Sequence, residues 1–262
     1  MAEALDTGRP HPARVYDVLL GGKDNFAADR AAAAEGLRVN PNAATAPLQN
    51  RAFLRRTVRY LAGQGVRQFL DIGSGLPTAL NVHEVAQQVD PSARVVYVDR
   101  DPIVLTHGRA LLTSTPEGRT AYVDGDLHRI EEILDAPELR ETLDLEEPVG
   151  VLLFAVLHFI EDDVEPYDIV TKLMAAVPRG SHLVISHITA DYDPVSWGKF
   201  AAVMRAQGIP TRLRDRDEVA GFFDGLELVE PGVVPILRWR PEEATPFTDA
   251  QVALYGGVAR KP

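Results

Sequence analysis

From Gln68 onward the chain alternates short apolar runs with longer stretches whose apolar residues recur every three or four positions. The short runs predict strands over 68–72, 94–99, 120–124, 149–157 and 182–187, because continuous apolar runs of this length suit strands buried on both faces. The longer stretches predict helices between them. In 78–89, Ala79, Val82, Val85, Ala86 and Val89 share one face, and 102–113 and 166–177 are similarly two-sided. Strand, helix, strand in this rhythm implies an α/β protein with a parallel sheet and right-handed crossovers. The tail adds helices over 194–207 and 216–223 and strands over 226–230 and 251–260, with Asp215 and Glu218 spaced as a capping box.

The first third has a different rhythm. Residues 1–12 carry Pro, Gly and charge without periodicity and predict a loosely laid segment. A helix follows over 13–20, ended by Gly21 and Gly22, and a second is capped by Asp24 or Asn25 and runs to about Leu37. After a Pro- and Asn-rich turn over 40–47, a third helix spans 49–62, with Arg51, Arg55 and Arg59 stacked on one side. That ridge is either a solvated face or a means of bringing Arg51 to a ligand carboxylate. The division expected is a helical cap over 1–62 and a sheet domain over 63–262.

The chemistry concentrates at 69–77, Phe-Leu-Asp-Ile-Gly-Ser-Gly-Leu-Pro, where the first strand runs into a turn that opens a helix. Gly73 and Gly75, with Ser74 between them, let the backbone turn tightly and let a ligand approach. Pro77 suits a first helical turn, since its missing N–H would have no partner there. A helix start above a strand offers free N–H groups and positive potential. The dinucleotide fingerprint needs a third glycine at the sixth position, where Thr78 stands. Asp71 precedes the glycines instead; a carboxylate there repels pyrophosphate and attracts an ammonium group, so the ligand expected is a cationic amino acid joined to a nucleoside. Asp99, at the tip of the second strand and roughly twenty-four positions after Gly75, has the spacing of an acid that accepts hydrogen bonds from ribose hydroxyls. Asp101 before Pro102 reads as a helix cap.

An acid followed by Gly-x-Gly resembles the first motif of the class I S-adenosylmethionine-dependent methyltransferases. The stretches 13–26, Ala-Arg-Val-Tyr-Asp-Val-Leu-Leu-Gly-Gly-Lys-Asp-Asn-Phe, and 70–78, Leu-Asp-Ile-Gly-Ser-Gly-Leu-Pro-Thr, resemble an actinobacterial family of S-adenosyl methyltransferases of undefined substrate. The likeness covers nearly the whole chain and departs from the commonest motif in carrying Pro77 where a third glycine often stands. It implies a Rossmann-like fold with a mostly parallel seven-stranded sheet, S-adenosyl-L-methionine as cofactor, and a helical lid whose Tyr16, Lys23 and Asn25 face the acceptor. It also implies that Asp126 meets the adenine amino group and Leu127 packs on the ring. Arg100, Phe154 and Arg51 complete the expected cofactor set.

Ligands in open α/β sheets sit beyond the carboxyl ends of the strands. His158 and His187 follow or end the fourth and fifth strands, and an imidazole near neutrality suits proton transfer, so both are candidate catalytic residues. Glu161, Asp162 and Asp163 point in successive directions and read as an acidic helix start, so no metal is expected. There is no Asn-Pro-Pro-Tyr motif, which argues against an amino group of a nucleobase or glutamine as acceptor.

Net charge is −11, but unevenly spread: ten basic and six acidic residues lie before Gln68, against seventeen and thirty-two after it. An acidic body disfavours nucleic acid, whose nonspecific binding rests on clustered Lys and Arg. A basic first third suits contact with that body or with an anionic substrate. With no cysteine, no signal-like start and no apolar run long enough for a bilayer, the expectation is a cytoplasmic enzyme without membrane contact, acting on a small-molecule acceptor, with a homodimer left open. Two alternatives are a cofactor-binding sensor without catalysis and, opposed by the broken glycine pattern, a nicotinamide-dependent oxidoreductase.

Overall fold

A computed structural model describes residues 6–262. Three helices come first: α1 (Pro12–Leu19), α2 (Ala27–Val39) and α3 (Thr45–Gly63). The alternating part follows as β1 (Gln68–Ile72), α4 (Val82–Val89), β2 (Arg94–Asp99), α5 (Pro102–Leu111), β3 (Arg119–Asp124), α6 (Ile130–Asp135), α7 (Pro137–Thr142), β4 (Val149–Phe154), α8 (Pro166–Ala175) and β5 (His182–Ile188). The tail holds α9 (Pro194–Ala206), α10 (Arg216–Gly221), β6 (Glu227–Leu228), β7 (Val234–Pro235), α11 (Asp249–Val252) and β8 (Leu254–Arg260).

The strands join in the order β3-β2-β1-β4-β5-β8-β6, with β7 also on β8. β1 to β5 are parallel, and β8 runs antiparallel to β5. The sheet is the mostly parallel, Rossmann-like one expected, with eight strands instead of seven among the described residues. The extra strand arises because a turn at Pro231 and Gly232 splits the tail into two short pieces that both pair with β8. Strand order reverses between β1 and β4, so the crevice there, at the carboxyl ends, is where such sheets bind ligands.

Alternate strand residues feed two cores. Phe69 of β1 belongs to the buried cluster that includes residues of α3, α4 and α9, while Leu70 and Ile72 belong to the cluster on the other face with residues of α6, α7 and α8. α3 buries Phe53, Leu54, Thr57, Val58, Leu61 and Ala62 in a helical stripe, and Phe53 meets Phe154 of β4 edge-on at 5.9 Å. This helix thus packs as a layer against the sheet. α1 and α2 lie further out, and α2 crosses α9 so closely that a Cβ on Gly36 would sit 2.8 Å from the Phe200 ring.

Several boundaries differ from the sequence pattern. The helix expected from Thr78 begins at Val82, because Leu80 takes a positive φ of 61° and Asn81 with Glu84 forms a capping box. Pro77 therefore stands in the loop before that helix, and Val89 is exposed. The fourth strand stops at Phe154, since Ala155 adopts φ 52°. Neither Asp24 nor Asn25 caps α2: the Asp29 carboxylate accepts from the Phe26 amide at 2.8 Å instead, and the Asn25 side chain donates to Asp17. The last strand starts at Leu254, after α11, whose N-cap is Thr248. Between β3 and β4 the expected helical stretch consists of two short pieces, α6 and α7, which part at Ala136 before Pro137. The expected loose segment 1–12 lies partly outside the described residues. Among the described residues no helix is long and apolar enough to cross a membrane.

Candidate active site

β1 delivers the chain into a turn at Gly73, Ser74 and Gly75, with φ of 73° at Gly73 and 66° at Gly75. Both the Gly73 and Ser74 amides donate to the Val98 carbonyl of β2, at 2.8 and 3.2 Å. A Cβ on Gly73 would lie 2.5 Å from Val156, so this position requires glycine for space as well as for φ. Above the turn opens a cleft. All ten residues expected to meet a cofactor line it: Arg51, Asp71, Gly73, Ser74, Gly75, Asp99, Arg100, Asp126, Leu127 and Phe154.

Asp71 is buried at the head of the cleft. Burial pushes its carboxyl up to about 7; the Arg51 guanidinium works against this, and Asp99 adds to it. Of the arginine ridge, only the first residue lines the cleft. Arg51 donates through Nη2 to the Leu80 carbonyl at 3.2 Å, while its buried Nε has no partner among the described residues. Arg59 pairs with Glu242 at the surface.

The Asp99 carboxylate ties two loops together, accepting from the Gly75 amide at 2.9 Å and from the Asp101 amide at 3.0 Å. Burial raises it to about 6, with those two amides opposing. A carboxylate offers about four acceptor sites, so capacity remains for a ligand. Asp126 caps a short turn over Leu127–Arg129 by accepting from the His128 amide at 3.0 Å, and lies 3.4 Å from Arg100. Burial would raise its carboxyl, but the His128 hydrogen bonds and the Arg100 charge outweigh that and hold it below the usual carboxylate range. Leu127 is buried beside it.

The N-terminal helices reach the same cleft by a route the sequence did not reveal. Asp101 does cap α5, accepting from the Ile103 amide at 3.0 Å, but its other oxygen takes the Arg14 Nε at 2.8 Å. Arg14 and Asp101 are 4% and 1% exposed, so α1 is pinned to the tip of β2 by a buried ion pair. His11 stands 3.2 Å from the same carboxylate; burial lowers it to about 4, with Asp101 opposing. His11, Tyr16 and Asn50 therefore join the lining. Tyr16 donates to the Pro47 carbonyl at 3.2 Å and accepts from Asn50 Nδ2 at 3.1 Å. Lys23 is exposed, and neither it nor Asn25 lines this cleft or the cavity beside it.

The two histidines separate. His158 follows β4 on a short turn over Leu157–Phe159 and lines a second cavity beside the cleft. Burial lowers it to about 3, and Arg214 acts in the same direction, so the ring is neutral. His187 is fully buried and lines neither cavity. Its Nε2 faces Arg214 Nη1 at 2.8 Å and must accept, so Nδ1 carries the proton and donates to the Ile188 carbonyl at 2.8 Å. Both nitrogens are thus used within the protein. Arg214, also missed by the sequence pattern, donates to the carbonyls of Leu157 and Ile160 and to Asp162, and so fixes the turn that carries His158.

The family assignment follows from comparison. A model of the S-adenosyl methyltransferase family matches residues 1–262. The chain belongs to that family. This methyltransferase is similar to a DUF574 family protein from Streptomyces avermitilis, at 48% identity over 98% of this chain and 99% of that one, with a TM-score of 0.96. It is also similar to a proposed methyltransferase from Thermobifida fusca, at 42% identity over 98% and 96% of the two chains, with a TM-score of 0.90. An O-methyltransferase family protein from Burkholderia thailandensis shares the fold alone, at 15% identity over 84% and 58% and a TM-score of 0.54. No curated protein matches the chain. The enzyme is therefore an S-adenosylmethionine-dependent methyltransferase of Rossmann-like fold.

Proposed function

We propose that the cleft holds the amino-acid end of S-adenosylmethionine between Asp71 and Arg51, its ribose at Asp99 and its adenine against Leu127 and Asp126, and that the methyl group passes to a small-molecule acceptor beneath α1. One observation carries this reading. Two groups of opposite sign line the head of one cleft, a carboxyl raised by burial to about 7 and a guanidinium with an unpartnered buried Nε. An ammonium and a carboxylate on one ligand answer both.

When bound, the cofactor supplies a methyl on a sulfonium, a good leaving group. The protein's task is then mainly alignment and exclusion of water. Gly73 leaves the backbone room over Val156, and Asp99 keeps acceptor capacity at the β2 tip while its amide partners hold it still. The α1 helix, fastened through Arg14, roofs the cleft with His11, Pro12, Ala13 and Tyr16. His158, lowered by burial to about 3, is a weak base and suits hydrogen bonding better than proton abstraction, and His187 supports the Arg214 network.

Calorimetric titration with S-adenosylmethionine and with S-adenosylhomocysteine tests the site. Both should bind, and Asp99→Asn should weaken each by about tenfold, the size of one charge-assisted hydrogen bond. No heat from either ligand would defeat the assignment. Transfer of radiolabelled methyl into a cell extract, lost in Gly73→Val, would report on turnover.

A further inference from the structure

The second cavity abuts the cofactor cleft: Pro12, Tyr16, Ala155 and Phe159 line both. Its outer wall comes from α1, from Ala43 in the turn before α3 and Ala46 and Pro47 at the start of α3, and from Trp197, Phe200 and Met204 of α9. None of its lining residues is Asp, Glu, Lys or Arg.

Polar groups in the wall are few, and most are already engaged. Tyr16 uses its hydroxyl on Pro47 and Asn50, Trp197 donates Nε1 to the Ala250 carbonyl at 2.9 Å, and Thr211 donates to the Ile209 carbonyl at 3.2 Å. His158 is the exception. Its side chain is 8% exposed and Nδ1 has no hydrogen-bond partner among the described residues. A buried polar atom left unpaired costs free energy that a ligand group can recover. Ligand sites are commonly apolar hollows with a few polar groups that set orientation.

We infer that this cavity is the acceptor site, and that it selects an uncharged, mostly apolar molecule with a single hydroxyl that hydrogen-bonds to His158. The inference rests on the cofactor reading above. A charged acceptor would lose its hydration without meeting an opposite charge in the wall. A hydroxyl on an apolar frame loses little, because the imidazole replaces its water. Arg214, which holds the carbonyls on either side of His158, is a positioning residue for this contact.

The test uses the full chain loaded with S-adenosylhomocysteine and calorimetric titration with 1-naphthol, 1-naphthoate and 1-methoxynaphthalene. The expected order is naphthol at least about tenfold tighter than naphthoate, and about three- to tenfold tighter than the methoxy compound, which lacks the donor. His158→Phe should abolish the preference for naphthol over its methyl ether. Ala46→Trp and, independently, Leu19→Trp should fill the cavity and remove naphthol binding while S-adenosylhomocysteine still binds, which also shows that the variants fold. Naphthoate binding as tightly as naphthol would overturn the inference. So would naphthol that fails to bind the loaded protein, or binds both filled variants unchanged. Failure of S-adenosylhomocysteine itself to bind would instead sink the cofactor reading, and this inference with it.

Discussion

Asp71 makes cofactor binding depend on pH in a direction the structure fixes. In the free protein its carboxyl titrates at about 7, because burial outweighs the attraction of Arg51. A ligand ammonium beside it favours the ionised form, so binding releases the proton that the free protein holds. With a pKa of about 7, the residue is about nine-tenths protonated at pH 6 and about one-tenth at pH 8. Affinity should therefore rise about tenfold from pH 6 to pH 8, with Asp99, at about 6, adding roughly a factor of two. The same group acts on stability. Its folded pKa is raised above the ordinary carboxylate value of 3.8, so its contribution is fully present below that value and is lost as pH rises through about 7. The amount at stake is on the order of 4 kcal/mol. Calorimetry in buffers of different ionisation enthalpy counts the protons: about 1.4 released per S-adenosylmethionine at pH 6, roughly nine-tenths of one from Asp71 and half of one from Asp99, few at pH 8, and the larger share of the release gone in Asp71→Asn. A flat affinity from pH 6 to pH 8, or proton uptake in place of release, would refute the reasoning.

Arg14→Ala should cost about 3 kcal/mol in denaturant unfolding, the low end for breaking a buried pair, since Asp101 keeps the Ile103 amide and has His11 beside it. In that variant a protonated His11 can take the place of the lost guanidinium, so the deficit should shrink in acid. Gly73→Ala forces a methyl against Val156 at a backbone angle suited to glycine and should weaken S-adenosylmethionine binding by more than about tenfold, as isothermal titration would show. Buried neutral His158, lowered from 6.5 to about 3, contributes stability that is present above 6.5 and is lost as pH falls toward 3. His158→Phe should therefore flatten the acid limb of the thermal unfolding temperature between pH 6.5 and 4.

The parts of the fold that show in the sequence are those with short-range causes. Buried parallel strands announce themselves as apolar runs, and Asp71, Gly73, Gly75 and Asp99 lie where two such runs end. Boundaries set by single backbone angles were less visible. Leu80 and Ala155 carry no residue signature for positive φ, yet each ends an element early. The Asn81 to Glu84 capping box was present in the sequence and would have corrected the start of α4. Pairings across the chain could not be read at all. Nothing near Arg14 points to Asp101, 87 positions away, and nothing near His187 announces that Arg214 will occupy its free nitrogen. The arginines of α3 share a helical face, but Arg51 meets the cleft and Arg59 meets Glu242, so periodicity named the row and tertiary packing divided it.

The place of β8 bears on how the protein is made. This strand enters the sheet between β5 and the short β6 and β7, all of which precede it in the chain, and its Leu254 walls the second cavity. Until the ribosome has released 254–260, β6 and β7 have no neighbour to hydrogen-bond and β5 is an open edge. A nascent chain stalled before that point would present an unfinished, adhesive border, so chaperone demand should fall once 254–260 has docked between its neighbours.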